Sequence, residues 1–146
     1  MKILITLAMS ILLLSFYSQE TQKMNYKRYL DKNLIGKIQQ EINVDSTIFE
    51  TTYLGILKVN NNKYHILSQF YTVKMANGRR GNSKVFFTNA EGEIERVYHL
   101  DMPDELPTSI ENNRLKLRDL LFENYTEELP NLLCVPHSGC YEWENE

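Results

Sequence analysis

Three rhythms of apolar and polar positions run along the chain, and each predicts a different kind of element. Residues 3–14, from Ile3 to Leu14, are almost uniformly apolar behind the single charge of Lys2, and the run stops at Ser15, Phe16, Tyr17, Ser18 and Gln19. At about 1.5 Å per residue this run makes ~18 Å of helix, short of the roughly 30 Å hydrocarbon core, so it predicts a cleaved export signal rather than a membrane span. The junction places cleavage after Ser18, with Ser15 as the alternative. No cysteine lies there to take a lipid anchor.

The second rhythm has a spacing of four. Tyr26, Leu30, Leu34, Ile38 and Ile42 recur between charged and amide side chains, which predicts an amphipathic helix over Thr21 to Ile42 with a weak point at Gly36. From Thr47 the period falls to two. Phe49 to Val59, Tyr64 to Met75, Lys84 to Thr88 and Ile94 to Leu100 read as four strands. Turn chemistry separates them at Asn60-Asn61-Asn62, at Asn77-Gly78 with a connection running to Asn82, and at Asn89-Ala90-Glu91-Gly92. Connections this short leave no room for parallel crossovers, so the four strands form an antiparallel meander. After Pro103 and Pro107, the capping box Thr108-Ser109-Ile110-Glu111 predicts a helix to about Tyr125, with Leu117, Leu120, Leu121 and Tyr125 on one face. The alternation Leu115-Lys116-Leu117 offers a fifth strand instead. Residues 129–146 form a tail. The expected fold is α+β: a four-stranded meander, one helix before it, one after it, and a pinned tail.

Length then bounds the organisation. The chain has 146 residues, 42% apolar and 24% charged, enough for one packed domain and too few for two. Loss of residues 1–18 leaves a domain of 128 residues, 19–146, and removing Lys2 takes the formal charge from −3 to −4. An acidic exported chain has no net attraction for nucleic acid, and none is expected as a partner. The mature form is expected to carry no transmembrane anchor and to sit in the periplasm or outside the cell.

Only two cysteines occur, Cys134 and Cys140, flanking Val135-Pro136-His137-Ser138-Gly139. In an oxidising compartment this pair predicts a disulfide, with the proline and glycine supplying the turn. His137 between them admits a zinc reading only with a fourth ligand such as His99. No phosphate loop, metalloprotease motif, nucleophile elbow or calcium loop is present, so no catalytic residue, metal or cofactor is assigned. His65, His99 and His137 fall in separate elements. Asp101, Asp104 and Glu105 read as a solvated turn. Asn124-Tyr125-Thr126 matches a glycosylation sequon of low specificity. Trp143, beside Tyr141, is expected to fold back on the sheet near the disulfide. The most distinctive surface feature is one basic hairpin end carrying Lys74, Arg79, Arg80 and Lys84, which suits a protein or anionic envelope partner or simply a solvated loop. The resulting expectation is an exported, non-enzymatic binding protein, including one that inhibits or neutralises another protein. A small hydrolase or carbohydrate-active enzyme with a non-local site, and a self-associating envelope protein, are the alternatives.

Overall fold

A computed structural model describes residues 25–144, so the export signal read over residues 1–18 lies outside the described residues. Among the described residues, ten strands form two antiparallel sheets: β1 (Ile38–Ile42), β2 (Ile48–Val59), β3 (Asn62–Met75), β4 (Gly78–Thr88), β5 (Ile94–Leu100), β6 (Ser109–Glu111), β7 (Arg114–Leu117), β8 (Leu120–Leu121), β9 (Leu132–Cys134) and β10 (Cys140–Glu144). The large sheet has the order β1-β2-β3-β4-β5-β10-β9 and the small one β6-β7-β8.

The meander expected from the period-two pattern is present as β2 to β5, but it is the centre of a seven-stranded sheet. The α+β class is overturned, because no α-helix occurs among the described residues. Over residues 26–42 the four-residue spacing misleads because four is an even number, so Ile38 and Ile42 share a strand face as readily as a helix face. The Asn25 and Asp31 side chains each accept the N–H two residues on, at 2.9 Å, which sets up the short 3₁₀ turns Tyr26–Tyr29 and Lys32–Leu34. Gly36 then takes φ +74° and turns the chain into β1.

The second expected helix is also overturned. Asn112 and Asn113, both left-handed at φ 52° and 57°, make the two-residue turn between β6 and β7. Arg118, at φ 55°, opens the turn into β8. Asparagine tolerates that conformation better than other side-chain-bearing residues, and it reverses a chain that the leucine spacing alone would continue as helix. The alternation Leu115-Lys116-Leu117 is strand β7. The connection after Met75 is shorter than expected: Ala76 and Asn77 alone form the turn, and Gly78 already pairs with Met75.

A register shift at Gly55, which has φ +115°, changes which side chains of β2 face each way. On one face Leu57, Ile66, Phe87, Tyr98 and Leu133 pack beneath Leu115, Leu117 and Phe122 of the small sheet and the segment after it. On the other, Tyr53, Leu67, Phe86 and Val97 are covered by Tyr26 and Tyr29, with the Tyr26 ring 4.7 Å from that of Phe86. Burying each such aromatic contributes about 1.5–3 kcal/mol. Gly92 allows this cover to close. Its carbonyl accepts the Tyr26 N–H at 3.2 Å, and a Cβ there would sit 2.1 Å from the Lys27 nitrogen.

Cys134 and Cys140 are register partners in the β9–β10 hairpin and are joined as the expected disulfide, with Sγ–Sγ 2.09 Å. The bridge removes both thiolates from the zinc reading.

Candidate functional site

Strand alternation divides the basic hairpin end. Lys74 faces Arg79 across β3 and β4 on one side of the sheet, while Arg80, opposite Val73, and Lys84, opposite Gln69, lie on the other. Two of the four are engaged within the chain. The Arg79 guanidinium donates to the Thr72 hydroxyl at 3.2 Å and to the Ser46 carbonyl at 2.5 Å. Lys84 Nζ lies 5.5 and 5.8 Å from the centroids of the Tyr71 and Phe86 rings. The four cations therefore do not form one basic surface.

The histidines are kept apart as well. His65 pairs with Thr88 and His99 with Lys84, on opposite flanks of β4, which separates them by roughly 16 Å. His65 Nδ1 lies 2.7 Å from the Tyr53 hydroxyl, with the two rings stacked, and burial holds its pKa below the ordinary histidine value. His99 Nε2 is 3.4 Å from a Glu144 carboxylate oxygen across the β5–β10 boundary. Among the described residues no group of three or more His, Cys, Asp or Glu side chains is arranged to hold a metal.

The acidic turn after β5 departs from its expected solvated state. Asp101 and Asp104 are exposed, but Glu105 is only 7% exposed. Its carboxylate accepts the Tyr141 hydroxyl at 2.8 Å to both oxygens, the Met102 N–H at 3.0 Å, and the Ser138 hydroxyl. Burial opposes the charge on Glu105, and the donated hydrogen bonds outweigh it, so its pKa lies below the usual carboxylate range. Burial first, and then the same carboxylate, push the Tyr141 hydroxyl up to about 12. This cluster clamps the disulfide loop and β10 to the turn that follows β5.

One groove that opens to solvent has a volume of about 460 Å³, with Tyr64, Glu95, Arg96, Glu127, Glu128 and Trp143 among its walls. It forms where β10 is laid against β5. The Trp143–Tyr98 register brings the indole beside Arg96, and the Tyr98 hydroxyl donates to the Pro130 carbonyl, holding the 127–130 segment over the sheet. The Arg96 guanidinium carbon lies 3.9 Å from the Trp143 ring centroid, and its Nη1 is buried with no hydrogen-bond partner among the described residues. A guanidinium this close over an indole is worth about 0.5–2 kcal/mol. Glu95, Glu127 and Glu128 line the same groove. Sequence reasoning missed the groove because its walls come from positions between 59 and 143. The one available signal was Arg96 itself, an arginine in the alternating set with Tyr98 and Leu100.

Compared with protein-family models, with characterised proteins and with solved structures, the chain matches none.

Proposed function

We propose that this chain is an exported binding protein, working in the periplasm or outside the cell, that holds a basic segment of another protein in the groove beside Trp143. The reading rests on one observation: an open groove lined by three carboxylates and by the guanidinium–indole pair of Arg96 and Trp143. Glu95, Glu127 and Glu128 receive lysine or arginine side chains, and charge-assisted hydrogen bonds of that kind are about twice as strong as neutral ones. The half-buried indole of Trp143, on the wall of the groove, supplies the apolar contact on which binding sites concentrate their energy. Such a protein acts by occupancy, which is how an inhibitor or neutraliser works.

The experiment uses the only tryptophan in the chain. Titrating the protein with oligolysine should change Trp143 fluorescence saturably. Oligoglutamate should not, and added salt should weaken the response. Glu127→Gln with Glu128→Gln should weaken binding at least tenfold. A fluorescence signal indifferent to oligolysine at millimolar concentration overturns the proposal. The mass of the protein recovered from outside the cytoplasm tests export, and retention of residues 1–18 refutes it.

A further inference from the structure

The two ends of the large sheet are finished differently. At one end β9 is a three-residue strand tied to β10 by the disulfide, and short edge strands of this kind resist pairing with other chains. At the other end β1 is regular over all five residues of Ile38–Ile42, with no bulge and no proline. Its one charged side chain, Glu41, is neutralised by Arg28 at 2.6 Å, and Ile38 and Ile42 stand 65% and 67% exposed on one face. Among the described residues, neither a bulge, a proline nor a lysine within the strand blunts this edge.

The direction of its free backbone groups follows from the turn into β2. The Asn43 N–H donates to the Thr47 carbonyl at 2.9 Å, and Ile42 is the register partner of Ile48. In an antiparallel ladder the hydrogen-bonded pairs alternate, so Asn43, Glu41 and Gln39 bond towards β2, and Ile38, Gln40 and Ile42 direct their N–H and C=O groups outward. A second copy of β1, related by a two-fold axis through Gln40, places outward groups opposite outward groups at every step. Gln40 meets its own counterpart, and Ile38 meets Ile42 of the second copy twice over. On the opposite face Gln39 meets Glu41, an amide donor beside a carboxylate, and Lys37 meets Asn43. No like charges oppose one another in this register.

We infer that β1 is a self-complementary edge through which two copies of the chain pair antiparallel, joining their sheets into one. The contact closes on itself by its two-fold symmetry, so assembly stops at the dimer on this edge. Edge pairing over five residues is small beside a standard interface of roughly 1,200 Å², so the dimer should be weak and its formation concentration-dependent. The groove beside Trp143 is lined by no residue of β1, so the inference is independent of what that groove binds.

Sedimentation from about 1 to 300 µM tests it. The unmodified protein should pass from monomer to dimer across that range. Ile38→Lys combined with Ile42→Lys puts like charges opposite each other and should leave only monomer, while Ile38→Lys combined with Ile42→Glu puts opposite charges there and should restore the dimer. Gln40→Pro removes an outward N–H, spares the ladder to β2 and keeps both isoleucines, and it should also give monomer. A monomer throughout for the unmodified protein overturns the inference. A dimer that survives Gln40→Pro does so too, since contact is then through a face rather than an edge, and failure of the charge-paired variant to restore the dimer rejects the register.

Discussion

Replacing Glu105 by glutamine tests the clamp that fixes the C-terminal hairpin. The carboxylate accepts from Tyr141, Ser138 and the Met102 N–H, so three donors already point at it. An amide keeps one acceptor oxygen and adds an NH₂ group where donors converge, which strands at least one partner. A hydrogen bond to a charged group contributes about 1.5–3 kcal/mol, and Ser138 is exposed enough for water to replace its share, giving an expected loss of about 2 kcal/mol at pH 7. For a domain of this size that lowers Tm by roughly 6–12 °C. The pH dependence has a definite sign. Because the folded pKa is depressed, the stabilisation is complete above the unfolded value of 4.5 and is lost as the pH falls through the lower folded value. Urea unfolding of both proteins, followed by Trp143 fluorescence at pH 7, 5 and 3, should therefore show a gap that narrows with acid. Tyr141→Phe, which removes one such bond, should cost about 1.5–3 kcal/mol by itself. A gap below about 0.5 kcal/mol at pH 7, within the range of ordinary surface substitutions, or one that does not change with pH, refutes the reasoning.

Two further outcomes follow from packing and covalent structure. Gly92→Ala forces a methyl group onto the Lys27 backbone at a left-handed position, so it should displace Tyr26 and Tyr29 from the sheet and cost about 3 kcal/mol, read as a lower urea midpoint and faster amide exchange at Val97 and Phe86. Replacing both Cys134 and Cys140 by serine should cost about 2.4 kcal/mol on the chain-entropy model for so short a loop; an unchanged denaturation midpoint would show that the bridge does not constrain the unfolded chain.

The central strands were legible because each carries its own evidence: alternation along the strand and turn residues at its ends. The turn expected at Asn89-Ala90-Glu91-Gly92 is in place, with Gly92 at φ +77°. The flanking elements failed for a shared reason. Leucines and isoleucines four apart satisfy both a helix and a strand, and the arbiter is backbone chemistry, Gly36 before β1 and Asn112-Asn113 after β6, whose weight depends on the sheet surface waiting to be covered. The burial of Glu105 and the groove at Arg96 were illegible because each depends on side chains more than thirty residues away, Ser138 and Tyr141 for the one and Glu127, Glu128 and Trp143 for the other.

The long central hairpin also orders the folding of the chain. β3 and β4 meet across two residues and pair over eleven positions, so they can zip from Ala76 and Asn77 on the microsecond scale typical of hairpins. β10 must instead find β5 across some forty residues, and closing such a loop carries an entropic cost that grows with its length. By joining β9 to β10 beforehand, the disulfide delivers that late-arriving partner as a ready-made ribbon rather than as two loose segments. Oxidation before docking should thus speed the last step of folding, which makes the redox state of Cys134 and Cys140 a control on how fast the sheet is completed.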